Sequence, residues 1–169
     1  MLDAERVGTH LAVAPLATMT ALAGPARSVL APSADWQVFQ WQRRIYDRVV
    51  DWHTLEGPVV REHGGRYHLL YSGGSYLGEG YGVARATADH PLGPWTEPDR
   101  PRLLATVPGH VRGPGHNSVV TTPAGTDVLV YHAWDEAMTK RCLCIDLLEW
   151  DDDGPRTPGP TWTSQPRPT

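Results

Sequence analysis

Sixteen residues beginning at Glu56 (EGPVVREHGGRYHLLY) align without a gap on sixteen beginning at His116 (HNSVVTTPAGTDVLVY), sixty positions further on. Val59-Val60 falls on Val119-Val120, Gly65 on Gly125, Leu69 on Leu129 and Tyr71 on Tyr131. Each copy reads as strand, glycine turn, strand, since short apolar runs are bounded by turn-forming residues. A repeat of this kind is one supersecondary unit, and it hides its apolar face by stacking on its neighbours.

The other halves of the units also echo one another. The runs Gly82-Val83-Ala84-Arg85-Ala86, Leu92-Gly93-Pro94 and Leu103-Leu104-Ala105 resemble residues 8–14, then Ala23-Gly24-Pro25, then Val29-Leu30-Ala31. Strand-like runs are expected at 9–14, 27–31, 57–62, 66–72, 80–86, 102–105, 117–122, 126–133 and 141–148. Sixteen prolines and seventeen glycines in 169 residues suit short strands and turns better than long helices. Only 36–50 offers a helical spacing, through Val38, Trp41, Ile45 and Val49; it has no clear cap and reads equally as an irregular insertion. Radially arranged four-stranded units are the signature of a β-propeller. Two similar hairpins could also sit in a β-sandwich, but the ungapped match and the aligned turn glycine favour the propeller.

The expected organisation follows. Residues 1–35 are the outer strands of an incomplete blade, and 36–55 an insertion or irregular segment. Residues 56–161 hold two repeated four-stranded blades and closing strands, and 162–169 a disordered tail. The class is all-β, about three blades of a propeller. Unpaired blade edges in such an array invite association, so a homo-oligomer is an expected partner state.

Composition removes several functions. The formal net charge of −4 provides no electrostatic reason to expect nucleic acid. No stretch reaches the roughly 20 apolar residues that span a bilayer. Residues 11–24 (LAVAPLATMTALAG) look like a signal-peptide core, yet Asp3 and Glu5 precede them with Arg6, and a basic leader is missing. The expectation is therefore a cytoplasmic chain. Cys142 and Cys144 lie two apart on one expected strand, a spacing that favours neither a mutual disulfide nor a zinc pair.

In a propeller the first strand of each blade lines the central channel, so equivalent positions in successive blades face one space. Glu56 and His116 are such a pair. A carboxyl at the neck of an aromatic-lined channel would have its pKa raised by desolvation, as a general acid requires. Spacing alone leaves open whether the two residues are functional or ordinary turn residues. Seven tryptophans and six tyrosines against one phenylalanine suit a wet, sugar-binding cleft, since indole and phenol carry a polar edge.

The ordered motifs Trp52-His53-Thr54-Leu55-Glu56-Gly57-Pro58, Tyr71-Ser72-Gly73-Gly74, Gly113-Pro114-Gly115-His116-Asn117-Ser118 and Tyr131-His132-Ala133-Trp134 resemble family 43 of the glycoside hydrolases. The closing Arg141, Ile145-Asp146, Leu148-Glu149-Trp150, Asp153-Gly154-Pro155 and Gly159-Pro160-Thr161 continue the likeness. The resemblance implies a five-bladed propeller and an inverting glycosidase acting on arabinan, xylan or arabinoxylan. It implies that Glu56 is the general acid and that His116 lies on the channel axis, where relatives hold calcium. Arg141 resembles a basic residue reaching the site from the last blade, and Trp52 is a candidate sugar platform. Tyr71 and Tyr131 are expected to be structural.

Inversion needs two carboxyls roughly 6.5–9.5 Å apart, one to protonate the leaving oxygen and one to activate water. In the family the base lies in the first blade, and an aspartate that tunes the acid lies in the second. The expectation is that both inner strands precede residue 1. Asp3, Asp35, Asp51, Asp135 and Glu136 match neither position. A non-catalytic carbohydrate-binding or scaffold fragment is the alternative function.

Overall fold

The computed structural model describes residues 6–165, so Asp3, Glu5 and the last part of the expected tail lie outside the described residues. Fifteen strands and one short 3-10 turn account for its regular structure. The first four strands are β1 (Leu11–Val13), β2 (Leu16–Thr18), β3 (Ala21–Leu22) and β4 (Arg27–Leu30). A 3-10 turn (Asp35–Gln37) leads into β5 (Val38–Ile45) and β6 (Arg48–His53). The two repeat units then supply β7 (Leu55–His63), β8 (Arg66–Gly73), β9 (Gly82–Ala88), β10 (Arg102–Leu104), β11 (Arg112–Thr121), β12 (Asp127–Trp134) and β13 (Arg141–Leu147). A last hairpin pairs β14 (Glu149–Asp151) with β15 (Gly154–Arg156).

The repeat is visible in the sheets. One four-stranded antiparallel sheet has the order β10-β9-β8-β7; the next, β11-β12-β13, has three strands and not the expected four, because the chain after β13 pairs with itself as β14–β15. In the first, His63 pairs with Arg66 around Gly64-Gly65, both at positive φ; in the second, Thr121 pairs with Asp127 around a longer turn carrying Gly125 at φ 85°. Strand β1 pairs with β4 just as β9 pairs with β10, which bears out the echo between those segments.

Side-chain alternation stacks these sheets. Along β8, Leu69 and Tyr71 point into one core with Leu11, Leu30, Leu55, Ala84, Ala86 and Trp95. Leu70 points the other way, into a core with Val83, Leu104, Val119, Leu129, Tyr131 and Leu148. The four-stranded sheet is therefore covered on both faces, and β8 is buried from His68 to Gly73. Sheets packed face to face in series, with inner strand β11 lying against β7, form successive propeller blades.

The aligned tyrosines act as buried struts. Tyr71 and Tyr131 are almost fully buried, and their hydroxyls donate to Glu97 and Asp146 respectively. Burial and the adjacent carboxylate push each phenol well above its ordinary value, so both remain donors at neutral pH.

The helical spacing at 36–50 is not realised. Beyond the 3-10 turn, this segment forms the β5–β6 hairpin, closed where Ile45 pairs with Arg48 and Tyr46 takes φ 54°. Val38 is buried, but Trp41 and Val49 are exposed, so the four residues share no buried face. Spacing predicts a helix only where a face is covered. The two cysteines are free thiols on β13. No helix among the described residues is long and apolar enough to cross a membrane.

Candidate functional site

Glu56 enters β7 opposite Ser72, and the ladder breaks between Glu56 and Val59. Gly57 takes φ 56° there and Pro58 has no N–H to donate, so the Glu-Gly-Pro sequence makes a β-bulge that re-aims the carboxyl. Strand β11 breaks likewise, between Arg112 and Gly115 and again between Gly115 and Ser118. His116 sits in that break at φ 53°, a conformation uncommon for a side chain other than glycine. Its backbone N–H donates to the Ser72 hydroxyl at 2.7 Å, tying one inner strand to the neighbouring blade. The His116 ring would lie 3.4 Å from a Cβ at Gly57. The two repeat-equivalent residues do meet in one space.

Tyr81 joins them. Its hydroxyl donates to Glu56 Oε1 at 2.6 Å and lies 3.5 Å from His116 Nδ1. Burial, reinforced by Glu56, raises the phenol well above its ordinary value, so it keeps its proton and pins the carboxyl. The ring approaches so closely because position 115 is glycine. A Cβ there would lie 2.0 Å from Tyr81 Cε1.

Arg141 begins β13 and reaches the same pocket. Its Nη1 donates to His132 Nε2 at 2.7 Å, and Nη2 donates to the Tyr76 carbonyl. The guanidinium lies 4.8 Å from the Trp134 ring centre and 5.0 Å from that of Tyr76. His132 stacks near Tyr81, with ring centres 5.9 Å apart. Together Glu56, Tyr76, Leu77, Tyr81, His116, Trp134 and Arg141 line an open pocket of about 340 Å³.

Of the expected site residues, Glu56, His116 and Arg141 are brought together, and Trp52 is not. Trp52 lies on the β5–β6 hairpin with Arg43 5.1 Å from its ring centre, and it does not line the Glu56 pocket. Tyr76, Tyr81, His132 and Trp134 do, or brace those that do. For two of them a signal was present in the Tyr-His-Ala-Trp motif. With Tyr131 and Ala133 in the core, strand alternation sends His132 and Trp134 to the opposite face. Tyr81 had no such signal, because its reach depends on Gly115 in another blade.

Three of the unassigned acids serve elsewhere. Asp35 pairs with Arg6, and Asp51 accepts the Gln42 N–H at 2.8 Å. Asp135 accepts from the backbone N–H and hydroxyl of Thr139, and these bonds hold its carboxyl below the ordinary value. Glu56 is the one carboxylate in its pocket among the described residues. Calcium takes about six to eight oxygen ligands. No group of three or more His, Cys, Asp or Glu side chains among the described residues is arranged to hold a metal ion. His116 with Glu56 and His132 does not by itself make a calcium site.

His132 yields a pH prediction. Burial first, then Arg141 and His116, push its pKa from 6.5 down to about 4. The unfolded chain therefore binds the extra proton in this window, and stability falls as pH drops from 6.5 towards about 4. His132→Gln keeps an acceptor for Arg141 and removes the titration. The denaturation midpoint of the variant should lose less across that window than the wild type does. Equal losses would sink the assignment, because His68, also lowered by burial, is common to both proteins.

Antiparallel sheets packed face to face in series, with Glu56 and His116 meeting where adjoining inner strands begin, are the blades of a β-propeller. The sequence profile described as Glycosyl hydrolases family 43 matches residues 11–155, and the chain belongs to that family. A β-D-galactofuranosidase of Aspergillus niger is 35% identical over 104 residues, covering 59% of this chain and 30% of its own length. An extracellular exo-α-(1→5)-L-arabinofuranosidase of Streptomyces avermitilis is 30% identical over 135 residues, covering 76% of this chain and 26% of its own. The crystal structure of a thermostable family-43 glycoside hydrolase superposes with a TM-score of 0.73 at 33% identity, covering 86% of this chain and 45% of that one. The chain thus spans less than half the length of each of these relatives. Its sheets are part of a five-bladed β-propeller.

Proposed function

We propose that this chain carries the general-acid side of an inverting glycoside hydrolase site, acting on arabinose- or xylose-containing polysaccharides. The observation that carries it is Glu56, held at 2.6 Å by a buried tyrosine in a pocket walled by aromatic rings and Arg141. Family membership supports the reaction class, and the Aspergillus niger and Streptomyces avermitilis relatives are a galactofuranosidase and an arabinofuranosidase. Tyr81 fixes the carboxyl against the glycosidic oxygen, and Arg141 presents a cation to the sugar hydroxyls. Tyr76 and Trp134 supply ring surface against which the apolar face of a sugar packs. Glu56 then delivers its proton to the leaving oxygen as the bond to the anomeric carbon breaks.

The carboxylate that activates water comes, in this reading, from outside residues 6–165. An acid without its base loses a contribution of about 10²–10⁴-fold. The 169-residue chain alone should therefore bind arabino- or xylo-oligosaccharides while hydrolysing aryl α-L-arabinofuranosides and β-D-xylosides only weakly. Rapid hydrolysis of unactivated arabino- or xylo-oligosaccharides by the purified chain, lost in Glu56→Gln, would show that it holds its own base. The single pocket carboxylate also favours a second reading, a carbohydrate-binding propeller without turnover. That reading requires sugar binding indifferent to Glu56→Gln and no hydrolysis even when a base is supplied.

A further inference from the structure

A second pocket of about 250 Å³ shares Trp134 with the Glu56 pocket. Its other walls are Gly109, His110, Arg112, Glu136 and Trp162. His110 and Trp162 stack in parallel, with ring centres 4.2 Å apart and planes 7° from each other. Trp162 nevertheless keeps 55% of its surface exposed, so one ring face is backed by imidazole and the other is open.

An open indole on a flexible tail would mean little, but this one is fastened. Thr161, the residue before it, donates its hydroxyl to Asp146 Oδ1 at 2.6 Å and its N–H to Oδ2 at 3.2 Å. Asp146 is itself buried, 2% exposed, and receives the Tyr131 hydroxyl at 2.6 Å. The repeat tyrosine of the second blade thus anchors the segment that carries the ring. Ordering cost is met in the folded state, as a stacking platform requires. Polar groups line the pocket, Arg112, which pairs with Glu79 at 3.4 Å, and Glu136. Rigid aromatic surface beside a few polar groups suits a neutral sugar ring, which offers an apolar face and a belt of hydroxyls. Trp162 lies beyond residues 11–155, the part that matches the family.

We propose that the pocket between Trp134 and Trp162 is a second sugar-binding subsite, taking a further unit of the chain whose reacting unit lies at Glu56. The inference rests on the functional reading above and extends it to oligosaccharides longer than the bond cleaved. Its ligand class is a neutral arabino- or xylo-oligosaccharide, held across Trp134.

Calorimetric titration of the 169-residue chain with arabino- and xylo-oligosaccharides of increasing length tests it. Affinity in the wild type should rise with length for one series. Trp162→Ala should weaken the longer members about tenfold and the shortest by less than twofold. His110→Ala should act the same way more weakly, and Trp162→Phe should restore most of the loss. A length dependence untouched by Trp162→Ala, or a loss equal at every length, overturns the subsite and leaves the reading of the Glu56 pocket intact. Failure of the wild type to bind either series at any length removes that reading and the subsite with it.

Discussion

Glu56→Gln should cut hydrolysis of unactivated arabinosidic or xylosidic linkages by about 10²–10⁴-fold, measured in a form of the protein whose water-activating carboxylate is present. The amide keeps the size of the side chain and can still meet the Tyr81 hydroxyl through its carbonyl oxygen. It cannot give a proton to the leaving oxygen. The loss should therefore depend on the leaving group. An aryl glycoside whose phenolate departs unaided should be cleaved at nearly the wild-type rate, whereas a sugar leaving group suffers the full deficit. Binding of oligosaccharide should change little, since the pocket walls are untouched. An equal loss on activated and unactivated substrates would argue that Glu56 positions the sugar instead of protonating it.

Gly115→Ala should be among the most damaging single methyl additions in the structure. The added Cβ would lie 2.0 Å from Tyr81 Cε1 and 2.2 Å from Cδ1, on a ring with no exposed surface. The tyrosine must move, and overpacking of this kind costs about 3 kcal/mol. Moving it also withdraws the hydroxyl from Glu56, so stability and site geometry fail together. A lowered urea midpoint at unchanged slope would register the first effect. A double-mutant cycle separates the cause from general fragility. In a Tyr81→Ala background the ring is gone, and Gly115→Ala should cost about 2 kcal/mol less than it does alone. Strict additivity would mean that the glycine matters for some reason other than the ring.

These two positions mark how far the chain could be read in advance. Glu56 was legible because its setting, Glu-Gly-Pro before a β-branched pair, stands in register with His-Asn-Ser before another. The structure shows why such segments serve, since each places a left-handed residue at a bulge, Gly57 in one strand and His116 in the other. Gly115 was visible as a letter of a motif but not as a contact. Its reason is the Tyr81 ring arriving from the adjacent sheet. The stack of Tyr81 near His132, and the grip of Arg141 on His132, depend in the same way on how three strands approach one another. The hairpin of β5 and β6 stayed open between a helix and an irregular insertion for the opposite reason. Its apolar spacing was real, but no neighbouring surface covers Trp41 or Val49. Trp52 followed that hairpin away from the pocket, although it lies only four residues before Glu56.

Taken alone, the chain's letters determined the strand-turn-strand unit, its duplication, the outer pair that precedes it and the carboxyl at the repeat's head. Those are local matters, set by alternation, glycine turns and proline breaks within about ten residues. Only the tertiary structure decided which rings surround that carboxyl, that a tyrosine pins it, and that Trp134 lines two pockets. The physical reason is that packing between blades is a relation among side chains far apart in sequence. Its distances follow from how closely two backbones can approach, and at Gly115 a single absent methyl group sets that approach.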